Sequence, residues 1–117
     1  MIPHGVQVFV ALSPIDMRSS FDRLSGIVKE QTGYEARSGA LFMFYGRRRD
    51  ALKILFFDGT GLCIFYKRLD RSTFRIPEPL TADVPYVEID DATLEALLDG
   101  IEVDAACRRR PRQPRVH

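Results

Sequence analysis

The spacing of hydrophobic and polar positions changes period several times along the chain, and each change marks an element. Val6 to Leu12 alternates and is rich in β-branched and aromatic residues, which predicts a first strand. Ser13-Pro14-Ile15-Asp16 breaks that strand, and Ser13 or Asp16 is suited to cap a helix. Beyond the break the period becomes helical. Met17, Phe21, Leu24 and Val28 recur at i, i+4, i+7 and i+11, so they share one face, and Ile27 widens the stripe. Phe21 and Leu24 are therefore expected in the core, with Arg18 and Asp22 at i, i+4 on the outside. Thr32-Gly33 ends the helix, glycine being the usual left-handed stop.

Three consecutive strands follow, Ala40-Tyr45, Ala51-Asp58 and Leu62-Leu69, joined by Gly46-Arg-Arg-Arg-Asp50 and Asp58-Gly-Thr-Gly61. Asp-Gly beside a β-rich run is a strong hairpin signal. Thr73-Ile76 predicts a further short strand, stopped by Pro77 and Pro79, and Tyr86-Ile89 an edge strand. Asp90 or Asp91 then caps a short helix with Leu94, Leu97 and Leu98 inward and Gly100 as its stop. In Leu52-Phe57 both Leu52/Ile54/Phe56 and Leu55/Phe57 are apolar, so neither sheet face is plainly wet. One long helix can cover only one face. The other needs the short helix, the proline-rich segment or a partner subunit.

The expected fold class is α+β: an antiparallel sheet of about five strands, packed by one long helix near the N-terminus and a short C-terminal helix. Residues 1-104 form a single domain on this reading. From residue 105 onward, "AACRRRPRQPRVH" has two prolines and no periodicity, which predicts a disordered basic tail.

Charge changes the picture more than composition does. A length of 117 residues with 45% hydrophobic and 28% charged content is ordinary for one globular domain. No apolar run reaches the ~20 residues of a membrane span, and no secretory leader is read at Met1-Ile2-Pro3-His4. Cys63 and Cys107 make no disulfide framework, so a reduced, cytoplasmic protein is expected. The net charge is only +1. That mean conceals blocks: Arg37 to Arg75 is mostly basic, Ile76 to Ala106 carries acids and no base, and the residues from Cys107 onward carry arginine and no acid. Arginine's planar fork suits phosphate or carboxylate better than a point charge does.

Candidate catalytic chemistry is thin. The two histidines, His4 and His117, sit at the ends of the sequence, which argues against a Ser/His or Cys/His nucleophile. No His/Cys spacing suits zinc, and no cofactor motif is read. Gly59-x-Gly61 lies between strands, not before a helix, so it is a turn and not a phosphate loop. Asp16, Asp50 and Asp58 could be imagined as a two-metal nuclease triad, but each has an ordinary account as a cap, a hairpin flank or a turn residue. The basic cluster is stronger. If Gly59-Thr60 is the loop of the second hairpin, Lys53 lies opposite Tyr66, with Lys67 and Arg68 opposite Leu52 and Ala51. One sheet end then collects Arg47, Arg48, Arg49, Lys53, Lys67, Arg68 and Arg71, with Tyr45, Phe65 and Tyr66 among them as stacking or snorkelling partners. A solvated hairpin end is the competing account of the same charges.

"SPIDMRSSFDRL" followed by "LFMFYGRRRDALKILFFDGTGLCIFYKRLDRSTFRIP" closely resembles the TnpB-type accessory protein of bacterial insertion sequences, the second open reading frame of sixty-six-type elements. The resemblance covers about Gly5 to Ile101. Its matching positions in the first motif are Asp16, Met17, Arg18, Phe21 and Asp22. In the second they are Arg47, Arg48, Asp50, Lys53, Asp58, Gly59, Gly61, Lys67, Arg68 and Phe74. Phe56 and Phe57 stand where members of the family often carry tryptophan. The resemblance implies a protein that assists transposition beside a separate, larger transposase. The expected function is thus a non-enzymatic accessory factor whose basic edge holds DNA phosphates. The alternative is an adaptor that docks the transposase, or a second copy of itself, through the acidic stretch 78–104 and an apolar sheet face. No membrane partner is expected.

Overall fold

The computed structural model describes residues 5–76 and 84–99. Five strands and two helices occur in chain order: β1 (Val8–Ala11), α1 (Phe21–Thr32), β2 (Leu41–Tyr45), β3 (Ala51–Phe57), β4 (Leu62–Arg68), β5 (Tyr86–Ile89) and α2 (Asp91–Leu98). They build one five-stranded sheet in the order β4-β3-β2-β1-β5. The tight connections behave as their residues dictate. Asp58 N–H donates to the Gly61 carbonyl at 3.1 Å, Gly59 takes φ 99, and β3 pairs antiparallel with β4 in the expected register, Lys53 opposite Tyr66. β2 pairs antiparallel with β3, and β5 with β1.

The sheet is mixed, not antiparallel as expected. β1 and β2 are parallel, with Val8 opposite Leu41 and Val10 opposite Met43. The reason is the element between them. A helix that carries the chain back along the sheet returns it to the starting end, so the next strand runs the same way.

The sheet is buried on both sides, as the doubly apolar β3 suggested. One face sets Phe9, Phe42, Phe44 and Leu55 against Leu24 and Val28 of α1. There Phe9 stacks on Phe42 at 5.6 Å and meets the Tyr86 ring edge-on at 5.4 Å. The opposite face sets Val8, Val10, Met43, Leu52 and Ile54 against Leu94 and Leu97 of α2, with Phe74 and Ile76 completing the layer. α2 is capped as read, Asp90 Oδ1 accepting from the Thr93 N–H at 2.7 Å.

Three further expectations fail for local reasons. The first helix begins at Phe21 with Ser20 as its N-cap residue, because Asp16 is occupied elsewhere. Asp16 Oδ1 accepts the Arg18 N–H at 2.9 Å and its carbonyl accepts the Ser19 N–H, which coils residues 16–19 into a turn. Arg18 consequently pairs with Asp16, not Asp22. Phe21 is 41% exposed instead of buried. Helical side chains lean toward the N-terminus, so a ring on the first helical residue projects past the helix start. Finally, Thr73–Ile76 is not a strand. Its alternation is real, since Phe74 and Ile76 are buried while Thr73 and Arg75 are exposed, but the Phe74 N–H bonds the Arg49 carbonyl in a loop at 2.7 Å.

Among the described residues no helix is long and apolar enough to cross a membrane. Pro77, Pro79, Gly100, the two histidines, the stretch from 105 onward and much of the acidic block fall outside them. The burial difference along α1 has a measurable consequence. Leu24→Ala, at a fully buried site, should cost about 2–5 kcal/mol in urea unfolding. Phe21→Ala should cost no more than about 1 kcal/mol, since much of that ring is already wet. Equal losses at the two positions would mean that α1 presents a different face to the sheet.

Candidate nucleic-acid interface

Because β1 and β2 run parallel, the loops that leave them emerge at the same end of the sheet. The antiparallel return of β3 and β4 brings the segment after β4 to that end as well. Backbone hydrogen bonds then tie the loops together. Ile15 N–H donates to the Tyr45 carbonyl at 3.0 Å, Leu69 N–H to Asp50 at 2.8 Å, and Phe74 N–H to Arg49. The Tyr45 hydroxyl donates to the Leu12 carbonyl at 2.6 Å. Both motifs of the sequence therefore meet here. Asp16, Met17 and Arg18 come from one, and Arg47, Arg48 and Asp50 from the other.

The contact is close enough to constrain residue type. A Cβ on Gly46 would lie 2.9 Å from Met17 Cγ, so a larger residue there would force the Met17 side chain to shift. Between them lies a cleft of about 340 Å3, lined by Pro14, Ile15, Asp16, Met17, Gly46 and Arg47. Arg49 closes its turn in the left-handed region at φ 61, a conformation that costs an ordinary residue on the order of 1 kcal/mol. Its N–H to the Gly46 carbonyl and its carbonyl to Phe74 hold it there, with the guanidinium 5.5 Å from the Tyr45 ring centre.

The basic residues divide into two groups. Arg47, Arg48, Arg49, Arg68 and Arg71 are exposed, and Arg18 offers a side chain that is 91% exposed. The ammonium groups of Lys53 and Lys67 instead reach main-chain carbonyls. Lys53 is 9% exposed. Its Nζ donates to the Ser19 carbonyl at 2.7 Å and sits 5.1 Å from the Tyr66 ring centre, so it fastens the loop before α1 to β3. Lys67 lies on the other sheet face, where Nζ donates to the Leu98 carbonyl at 2.8 Å. There it satisfies the carboxyl end of α2, where a cation is favoured. The stacking partners divide as well: Tyr45 is buried, Phe65 packs on the α2 face, and Tyr66 is 47% exposed.

The acids are also sorted by position. Arg18 grips Asp16 at 2.7 Å through Nη2 and bonds it again through Nε, which, with the Arg18 N–H, lowers its pKa to about 2. Asp58 is likewise lowered to about 2, by the Thr60 N–H, the Thr60 hydroxyl and the Gly61 N–H. It does so at the far end of the sheet. A strand the length of β3 holds Asp50 and Asp58 roughly 25 Å apart, so Asp16, Asp50 and Asp58 cannot share one centre. Among the described residues no group of three or more His, Cys, Asp or Glu could hold a metal ion. Asp22 lies in the first turn of α1, where the helix dipole favours an acid, and Phe74 is a buried anchor beneath the arginine loop.

Pattern reading missed Gly46 and Ser19 as parts of this site. Gly46 was visible only as a turn residue, and a backbone carbonyl such as that of Ser19 leaves no side-chain signal. Lys53→Met, which keeps the stem and deletes the ammonium, should cost about 1–3 kcal/mol and speed amide exchange at residues 16–20. Unchanged exchange there would mean that other contacts hold the loop. Arg18→Ala should raise the Asp16 midpoint from about 2 toward 3.8, read by carboxyl NMR. The sign follows from the depressed folded pKa. The pair contributes above pH 3.8, and its contribution fades as pH falls through 2.

This chain is similar to two proteins of Sinorhizobium fredii (strain NBRC 101917 / NGR234). The uncharacterized protein y4hO is 39% identical over 104 residues, covering 87% of this chain and 88% of that one. The uncharacterized protein y4jC is 26% identical over 107 residues, covering 92% of each. No solved structure matches the chain. The model of a family described as IS66 Orf2 like protein matches residues 6–108, which takes in every loop of the site and runs past Ile101, where the motifs alone had carried the resemblance. The chain therefore belongs to the IS66 Orf2-like family, the accessory proteins of this class of insertion sequence.

Proposed function

We propose that the chain is a non-enzymatic transposition factor that holds DNA by its phosphates at the arginine-bearing end of the sheet, positioning it for a separate transposase. One observation carries the reading: the Ile15 N–H bonds the Tyr45 carbonyl and Lys53 Nζ bonds the Ser19 carbonyl, which fastens the family's two motifs to each other, and the arginines around that junction face water. Exposed arginines on a rigid turn lose little entropy on meeting a phosphate, and the guanidinium fork matches its oxygens. Contacts of this kind fix position without reading bases, which suits a factor that works on element ends beside an enzyme that cuts them. The adaptor reading is the weaker one. The second sheet face it would use is covered by α2, Phe74 and Ile76.

Replacing Arg47, Arg48 and Arg49 together by alanine should leave the melting temperature within a few degrees of the parent, because exposed charges contribute little. DNA affinity should fall, and the slope of log affinity against log salt should shrink by up to ~3, about one for each lost phosphate contact. Binding with an unchanged slope in that variant would overturn the assignment.

A further inference from the structure

The exposed Tyr66 ring is unusual in being held. Its strand, β4, is an edge of the sheet, and on the α1 face its neighbour across β3 is Lys53. The Lys53 ammonium, nearly buried, lies 5.1 Å from the ring centre and is anchored to Ser19. Arg68, two residues along the same face, donates Nη2–H to the Tyr66 hydroxyl at 3.1 Å. The ring is thus braced from within by one cation and at its rim by another, while 47% of the residue remains in water. Phe21, 41% exposed, opens α1 two residues beyond Ser19, the residue that shares Lys53 with Tyr66. Arg68 stands opposite Ala51, immediately after the arginine loop.

We infer that Tyr66 is a stacking platform for an unpaired base, and that the nucleic acid this end of the sheet prefers is single-stranded DNA. The inference rests on the phosphate-holding role proposed above and adds the strand state of the ligand. A duplex hides its base faces within the stack, so a ring lying on a sheet offers it nothing beyond the phosphate contacts. An unpaired strand exposes π-faces at every nucleotide, and aromatic rings set in a basic groove take them with little regard to sequence. Tyr66 supplies the ring, and Arg68 and the Arg47-Arg48-Arg49 turn supply the cations for the flanking phosphates. The bracing cations reduce the conformational freedom that stacking would otherwise remove.

The test is fluorescence anisotropy with a labelled single strand of about 12 nucleotides and with its duplex, across a range of salt concentrations. The parent should bind the single strand more tightly. Tyr66→Ala and Tyr66→Leu should each weaken single-strand binding roughly 5- to 100-fold, leave its salt slope unchanged and alter duplex binding less than about twofold. Tyr66→Leu keeps an apolar side chain on β4, so it serves if the alanine variant unfolds, and Tyr66→Phe should retain most of the affinity. Salt-dependent binding that the triple arginine variant weakens but both ring-deleting variants leave intact would overturn the platform and spare the phosphate role. Equal loss on single strand and duplex would also overturn it. A parent that binds neither at low salt would overturn both.

Discussion

The parallel pairing of β1 with β2 is the constraint on which the rest depends. Had β2 returned antiparallel, the loop carrying Asp16-Met17-Arg18 and the loop carrying Arg47-Arg48-Arg49 would leave the sheet at opposite ends. The right to pair in parallel comes from α1, and α1 can cross the sheet only because Leu24 and Val28 bury themselves against Phe42, Phe44 and Leu55. A hydrophobic stripe on one helix thereby decides which charges become neighbours. The polar residues of the junction did not choose their partners. The apolar ones chose for them.

Burial on both sheet faces has a second effect. A sheet covered by α1 on one side and by α2, Phe74 and Ile76 on the other leaves its ends, edges and loops as the surface that can meet a partner. The two lysines show how far this goes. Lys53 and Lys67 are adjacent to the arginines in register, yet each is recruited to an internal carbonyl, at Ser19 and Leu98. A lysine ammonium on a flexible stem can reach inward and satisfy one acceptor, whereas an arginine at a loop tip presents its fork outward. The exposed charge of this end is accordingly arginine, and the lysines hold it in shape.

Much of this was legible from residue pattern. The 3.6 period of Leu24 and Val28, the Gly33 stop, the Asp58-Gly59 turn and the Asp90 cap are all local signals, and each appears where its chemistry requires. The hairpin register placed Lys53 opposite Tyr66 and Arg68 opposite Ala51. The same alternation implied that Lys67 and Arg68 point to different faces, a consequence of the pleat that grouping them by charge overlooked. Strand direction was legible only indirectly: the strands' own pattern does not show it, but the helix between β1 and β2 implied a parallel pair, an implication that the run of hairpin signals after it masked. Phe21 continued the apolar stripe and was assigned to the core, but periodicity does not say where a helix begins. Asp16 looked like a cap and is instead the first residue of a turn that makes the helix start about one turn late, at Phe21.

The central claim is that the two motifs form one surface and that this surface is where DNA binds. It is tested most directly by following backbone amide resonances of the intact chain during titration with a short DNA strand. The account predicts that Met17, Arg18, Gly46, Arg47, Arg48, Arg49 and Arg71 shift together and saturate with one affinity, while the Asp58–Gly61 turn at the opposite end stays still. Shifts concentrated at that turn or on α2, with the arginine loops unmoved, would contradict it.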